Sequence, residues 1–467
     1  MICRLSICFV ILMLKFKNSR TNYAHAGIIV TLCYLLFFPI NLLLAETSVS
    51  EPDLSFYERI MKGLETGFRD PIGSRYYFKD GFRMESAGGN LKIKIGGEAR
   101  LDGGYMGAND TLKRAFTDLT GWKGNFRELK LRLSGSIYEN WKYQLDIDFA
   151  NVRQIKDIWI SYGKIPFLGN AKAGHTKVPF SLEGFMSNAD RTFMETALPV
   201  EAFFPGRNIG VLCWNTALKE RLTWAAGYFL LSGSFSDVAG ATDYLSNTFG
   251  SGVNLRVTGL PRYEDDGKNL LHLGFSYSHQ LRDDTRADSQ LKLRAHPESR
   301  LTNDTFVNTG QFYTQAVDLF GYEAALVRGP FSVQGELFHI FANAESVGDP
   351  RFWGFYVYGS YCLTGEHRGY DRSKGVFKSV TPREDFHFTS DGWGALEAAF
   401  RISYVDLNSR SIQGGKEADL TAGLNWYLNG NTRVEFNYVH ARVMDRDDPP
   451  IDGGIANIFQ VRFQYKL

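Results

Sequence analysis

Cysteine is scarce: five residues in 467, and three of them (Cys3, Cys8, Cys33) fall in the first 45. The remaining two, Cys213 and Cys362, lie on separate strand-like segments, so no disulfide framework is available. Both read as apolar strand residues. An excess of either charge is also missing, with Lys plus Arg at 52 against Asp plus Glu at 51. That balance argues against general binding of nucleic acid, which calls for a basic domain. Long apolar runs are confined to one, Ala26 to Ala45. A bundle of membrane helices needs several stretches of about 20 apolar residues and is excluded. Disorder is excluded too, since 44% of the chain is hydrophobic.

What remains is distinctive. Glycine (47 residues) and aromatics (14%) exceed the usual share for a soluble domain. Residues 1–45 carry Arg4, Lys15, Lys17 and Arg20 and no acid, then the apolar run, then Ala45 before Glu46. This order reads as an export signal, with Met13 an alternative start and a retained membrane anchor the competing reading. Leu32 before Cys33 is too bulky for a lipoprotein signal. Removing the leader leaves 48 basic residues against 51 acidic ones. Residues 50–66 carry Tyr57, Ile60, Met61 and Leu64 on one helical face, with Ser55 and Glu58 spaced as a capping box; 46–70 is taken as a short helical or linker segment.

From Leu91 onward the hydrophobic period is two. In 141–149, Trp141, Tyr143, Leu145, Ile147 and Phe149 alternate with Lys142, Gln144, Asp146 and Asp148. The last strand alternates Phe459, Val461, Phe463, Tyr465 and Leu467 with Gln460, Arg462, Gln464 and Lys466. Sixteen such strands are predicted, at 91–106, 126–138, 141–150, 155–163, 170–178, 208–215, 221–230, 250–259, 270–281, 316–326, 331–342, 353–363, 393–407, 417–428, 431–442 and 457–467. Short links recur between them (138–141, 326–331, 428–431), with long ones (107–125, 179–207, 282–315, 364–392) elsewhere. An even number of amphipathic strands with two classes of connection defines an all-β, sixteen-stranded antiparallel transmembrane barrel over 71–467. Closure satisfies every backbone group, as lipid demands. A soluble sandwich or propeller would alternate as well, without the two loop classes. Tyr105, Trp122, Tyr138, Trp141, Tyr162, Tyr427 and Tyr465 sit at strand ends, as interfacial girdles would place them.

If the apolar face meets lipid, the polar face lines a lumen, and sixteen strands leave an aqueous channel. Lumen residues then include Lys92, Lys94, Glu98, Arg100 and Asp102, followed by Glu128, Lys130 and Arg132. The mixed signs predict no strong selectivity from the strands alone. The connection 179–207 carries Glu183, Asp190, Arg191, Glu195, Glu201 and Arg207 together with Phe180, Phe185, Phe193, Met194, Phe203 and Phe204. Those apolar groups need burial, which an inward-folded third loop provides; an external cap is the alternative. Lys292, Arg294 and His296 alternate with Leu291, Leu293 and Ala295, a basic ladder along which an anion could be handed, or a solvated loop face. Arg368, Arg372, Lys374 and Lys378 make a second basic cluster after Cys362. Catalytic motifs are missing: none of the nine histidines has metal-ligand spacing, and G-x-S-x-G and H-E-x-x-H do not occur. His272 and His279, seven apart on one strand, face opposite ways.

Several segments resemble the phosphate-selective porin O and P family. They are Gly96-Gly97, Phe126-Arg-Glu-Leu-Lys-Leu-Arg-Leu133, Trp141-Lys-Tyr-Gln-Leu145, Thr192-Phe-Met-Glu195 and Pro205-Gly-Arg-Asn-Ile-Gly210. Arg256-Val-Thr-Gly-Leu-Pro261, Gly329-Pro-Phe-Ser332, Leu363-Thr-Gly-Glu-His-Arg368 with Tyr370-Asp-Arg372, and Leu424-Asn-Trp-Tyr-Leu-Asn429 follow in order. The resemblance implies a homotrimer of sixteen-stranded anion-conducting barrels in the outer membrane, with an inward third loop and no cofactor. It also implies two adjacent arginines at the start of the second strand, a lysine after a Leu-Glu pair in the third loop, and an aspartate on the fourth strand. Arg127 and Asp157 match; Glu128 replaces the second arginine, and Gly184 follows Leu182-Glu183 where the lysine would stand. These departures weaken a tight phosphate site. The expectation is a pore in outer-membrane lipid for small hydrophilic solutes with a preference for anions, phosphate or polyphosphate among them. Its anion-contacting candidates are Arg127, Lys130, Arg132, Asp157, Arg191, Arg207, Lys292, Arg294, Arg368 and Lys374. A barrel enzyme, or a structural barrel without an open pore, is the competing class.

Overall fold

The computed structural model describes residues 67–69, 72–150, 154–231, 250–282, 290–388 and 392–467; the expected leader and nearly all of the 46–70 segment lie outside them. Sixteen strands close into a barrel: β1 (Leu91–Ala108), β2 (Gly121–Ile137), β3 (Trp141–Asp148), β4 (Gln154–Ile165), β5 (Gly169–Lys177), β6 (Arg207–Ala217), β7 (Leu222–Leu231) and β8 (Gly250–Glu264). Then come β9 (Asn269–Arg282), β10 (Ala316–Arg328), β11 (Phe331–Asn343), β12 (Arg351–Cys362), β13 (Ala395–Ser409), β14 (Ile412–Tyr427), β15 (Thr432–Met444) and β16 (Ile455–Lys466). Every strand pairs antiparallel with its neighbours in sequence, and β16 closes on β1 from Ala456↔Ala108 to Lys466↔Glu98. A hairpin of 75–78 and 82–85 extends the sheet beside the start of β1.

Alternation explains the barrel's two faces. Leu133, Ile158, Ile160, Val253, Leu255, Val257, Phe275, Phe400 and Phe436 are exposed on the outside, while Glu98, Arg100, Asp102, Arg401 and Arg462 are buried within. An exposed apolar band around closed strands is stable in lipid and would be an aggregation liability in water. Tyr105 and Trp122 pack edge to face at 5.5 Å, and Trp141 and Tyr162 at 4.9 Å, as girdle residues. Tyr427 does not belong to the girdle. It is buried in the lumen and donates to Glu397 at 2.7 Å, because its register places it with the inward set of β14. His272 and His279 do face opposite ways, inward to Glu323 and outward to Asp318. Cys213 and Cys362 are free thiols on β6 and β12.

The connections correct one expectation. Both ends of the barrel sequence and the short links 138–140, 166–168, 218–221, 265–268, 329–330 and 428–431 share one end, the turn end. Strand parity puts the long link 363–394 at that end as well, whereas 410–411, at the opposite loop end, is only two residues. Length alone could not assign the 363–394 segment, since a long link leaves strand count and alternation unchanged.

Candidate functional site: the constricted lumen

The 178–206 loop lies against the inner wall. It forms two short helices, α1 (Leu182–Phe185) and α2 (Leu198–Phe203), and its apolar residues Phe180, Phe193, Leu198, Val200 and Phe203 join a buried core with Phe338, Phe352, Tyr356 and Tyr358 from β11 and β12. The polar inward residues of β11–β16 fasten it. Glu336 accepts from the Leu182 and Glu183 amides at 2.7 and 2.8 Å, from Ser181 Oγ at 3.1 Å and from Tyr356 at 2.7 Å. Arg401 donates to the Glu195 carbonyl at 3.1 Å and pairs with Glu183 at 3.3 Å. Asn425 donates to the Thr192 carbonyl and Arg433 to that of Arg191, both at 2.7 Å. Arg462 reaches Glu195 at 2.6 Å.

Two further segments narrow the same space. Glu298, from the 283–315 connection, pairs with Arg401 at 2.6 Å, and Gln460 donates to its carbonyl at 3.0 Å. From the turn end, a hairpin of 368–371 and 376–380 enters, its Val376, Phe377 and Val380 buried. Arg256, itself clamped by Glu323 at 2.7 and 2.8 Å, donates to the Lys374 and Gly375 carbonyls at 3.0 and 2.8 Å. Gly375 has φ +65°, and a Cβ there would run into the hydroxyls of Thr258 and Thr223, so the close fit of the hairpin tip against β8 favours glycine.

Facing this filled half, β1–β6 carry the charged side chains predicted from sequence. A bulge in β2 at Arg127 lets Arg127 and Glu128 both turn inward while Phe126 faces out. Arg127 grips Glu195 with two hydrogen bonds, 2.8 and 2.9 Å, and Arg462 holds Asp102 with two of 2.7 Å. Burial alone would raise the Glu195 carboxyl; Arg127 and Arg462 outweigh it and hold the group well below the usual carboxylate range. Glu128, where the resemblance led one to expect arginine, joins Glu98, Arg100 and Lys130 in a buried quartet of two acids and two bases, with Lys130 2.7 Å and Arg100 3.2 Å from Glu128. Arg132 grips Asp146 at 2.6 and 2.8 Å. Asp157, on a bulge of β4, receives Arg207 at 3.0 Å.

The third loop explains the missing lysine. Gly184 is buried with its Cα turned at Phe204, and a Cβ would stand 2.6 Å from that ring. The ammonium of Lys177 approaches instead, donating to the Gly184 carbonyl at 2.9 Å. Arg191 is buried in the same loop, and burial draws its guanidinium down to about 10 despite Glu183 and Glu195 nearby.

The two basic clusters fare differently. Lys292 and Arg294 keep the alternation, with Leu291, Leu293 and Ala295 buried between them, but His296 is pinned to Glu201 at 2.6 Å rather than left as a rung. The cluster after Cys362 splits. Arg368 is buried, donating to Gln334 at 3.1 Å and stacking 4.3 Å from the Phe377 ring, while the Lys374 side chain is largely exposed. Arg256, Glu336, Arg401, Arg433 and Arg462 were missed as anchors. Each is a charged residue at an inward strand position, often between two apolar ones, a pattern that gives the face but not the partner.

A closed barrel with a lipid-compatible exterior and a charged, constricted lumen defines an outer-membrane porin. The profile of the phosphate-selective porin O and P family matches residues 93–467, and the chain belongs to that family. Porin O of Pseudomonas aeruginosa is 25% identical over 404 residues, covering 78% of this chain and 86% of the relative. A Caulobacter vibrioides protein without an assigned role is 27% identical over 361 residues, covering 75% and 68%. Among solved structures, an anion-selective porin from Comamonas acidovorans superposes with a TM-score of 0.51 at 11% identity, covering 81% of this chain and all of that one. The outer membrane channel DcaP of Acinetobacter baumannii gives 0.50 at 11% identity, covering 82% and 99%. At these identities the structural likeness establishes the fold.

Proposed function

We propose that this porin passes small solutes by diffusion with a preference for anions, and that phosphate permeates without being held tightly. The observation that carries the reading is an asymmetry of exposure within the lumen's ion pairs. Arg132 is 35% exposed and its partner Asp146 0%; Arg127 is 24% exposed and Glu195 6%; Arg300 is 32% exposed and Glu201 7%. A passing solute therefore meets the cation, with the carboxylate shielded behind it. Near-cancelling formal charges still give a positive local field at the water-filled side. Tight phosphate binding would need free bidentate donors, and Arg127, Arg132 and Arg462 already spend theirs on fixed carboxylates. Of the sequence candidates, Arg127, Arg132 and Arg207 are assigned to contact the solute, Lys374 to the turn-end mouth, and Lys130, Asp157, Arg191 and Arg368 to holding the lumen's shape. Lys292 and Arg294 are assigned to the loop-end entrance.

A channel role is favoured over an enzyme, since the buried histidines are held structurally, His272 and His296 by carboxylates and His175 by the Lys156 carbonyl at 2.6 Å. The homotrimer follows the family, and small residues at outward positions of β1 (Gly97, Ala99, Gly103) suit close approach of a neighbouring barrel. The test is single-channel recording in a planar bilayer. A reversal potential in a KCl gradient favouring chloride is expected, with phosphate reducing the current only at millimolar levels or above. Cation selectivity would contradict the reading, as would saturation by micromolar phosphate.

A further inference from the structure

Lys172 on β5 is held unlike the lumen cations described above. No described carboxylate forms an ion pair with it, and its ammonium lies 4.4 Å from the Trp159 ring centroid and 5.3 Å from that of Trp214. Trp159 stands on β4 and Trp214 on β6, so the indoles flank the lysine from both neighbouring strands. Register places all three inward: Ser161 pairs with Lys172, Trp159 with Gly174 and Asn170 with Trp214, whereas Ile158 and Ile160 are exposed to the outside. All three side chains keep partial solvent exposure. The charged groups acting on Lys172 are Asp157, Lys374 and Arg207; the acid is already bound by Arg207 at 3.0 Å, and the Lys374 side chain is 61% exposed. At about 3.4 Å per residue, Lys172 lies roughly 10 Å from the 166–168 turn and about 17 Å short of Lys177 at the third loop. The group therefore sits on the turn side of the constriction.

An exposed ammonium alone attracts any small anion. Set between two indole faces, it discriminates by what the anion carries: a flat apolar ring can lie against an indole while its carboxylate meets Lys172 and Lys374. A sugar would need partners for several hydroxyls, whereas the strand partners of Lys172 are Leu212 and Ser161 and its ammonium already donates to Thr176 Oγ1 at 3.4 Å, leaving few polar groups beside the indoles. We propose that Trp159, Lys172 and Trp214 form a station for small aromatic carboxylates, an inference that rests on the pore reading and names its substrate class.

The experiment compares block of single-channel current by benzoate and by acetate, added from the turn side. Benzoate should half-block at about a tenfold lower concentration, the ratio one ring-stacking contact supplies. Trp159→Leu with Trp214→Leu should erase the difference, and Trp159→Phe should keep it. Equal block by the two acids in the parent protein, or a benzoate preference surviving the double Leu variant, overturns the proposal. Should the double variant fail to insert, Lys172→Gln decides: weaker benzoate block supports the station, and unchanged block refutes it. The reversal potential in KCl, recorded in the same membranes, separates the two ideas. An anion-selective pore with equal block removes only the station, while a cation-selective pore removes the reading beneath it.

Discussion

Glu336 is the best single point at which to loosen the constriction. Its carboxylate accepts four hydrogen bonds between 2.7 and 3.1 Å, three of them from Ser181, Leu182 and Glu183 where the third loop begins. Glu336→Ala leaves two amides and two hydroxyls without their acceptor. A hydrogen bond is worth about 0.5–1.5 kcal/mol net, so losing the four puts the local cost at about 2–6 kcal/mol. The rest of the loop remains fastened by Arg401, Asn425 and Arg462. Residues 181–186 should therefore lift while the barrel persists. In a planar bilayer the variant should show higher conductance and larger open-channel noise, with heat-modifiable migration on a gel unchanged. Glu336→Gln, which keeps one acceptor oxygen, should fall between. Conductance and noise equal to the parent's in the Ala variant would refute the idea that this carboxylate sets the loop.

Other expectations follow from the lumen charges. Arg127→Gln removes an exposed cation and should lower the chloride-to-potassium permeability ratio, read as a shift in reversal potential. Glu195→Gln neutralises the partner that occupies Arg127 and Arg462, so phosphate block should strengthen by about tenfold if one charge-assisted bond of roughly 1.4 kcal/mol becomes available. Gly184→Lys, which restores the family's residue, should lower thermal stability rather than create a phosphate site, because its Cβ falls 2.6 Å from the Phe204 ring. Burial would raise the Glu201 carboxyl, but Arg300 and His296 outweigh burial and hold it at about 2, below its ordinary value of 4.5. A depressed acid stabilises fully above its unfolded value and loses that contribution as pH falls through the folded one. The stabilisation should thus decline as pH falls below about 4.5, while the Glu201–Arg300 contact itself persists in the folded channel until Glu201 protonates near pH 2, so current noise should rise only as pH falls through about 2.

The barrel was legible because lipid makes alternation obligatory: each of the sixteen expected strands is present, with ends shifted by a few residues. β2 begins at Gly121 rather than 126 and β14 at Ile412 rather than 417, since the barrel wall rises past the lipid-facing apolar positions that marked the strands. Burial of the apolar residues in 179–207 was equally readable, because phenylalanines in a long loop need cover. What alternation cannot report is the pairing of inward charges. Arg401 and Glu298 are 103 positions apart and meet only because the 283–315 connection folds into the lumen against β13. The 363–394 segment escaped for a related reason. Its end of the barrel depends on strand parity, and its basic residues gave no sign that Arg368 would be buried on Phe377 while Lys374 stayed exposed.

The departures at Glu128 and Gly184 belong to one arrangement. Holding many cations out of bulk water in a lumen narrowed by packed loops is costly, since desolvating each costs several kcal/mol. Two remedies exist: a bound anion from solution, or a carboxylate supplied by the chain. Here the chain supplies it. Glu128 and Glu98 neutralise Arg100 and Lys130, and Glu195 and Asp102 neutralise Arg127 and Arg462. A permeating phosphate must then compete with carboxylates tethered at contact distance, which it does weakly and reversibly. Conduction needs that weakness, because a solute bound too firmly does not leave. Where a pair does show one side to water, as at Arg127, Arg132 and Arg300, that side is the cation and decides the sign of what enters, so preference for anions can persist where affinity for any one of them has been given up.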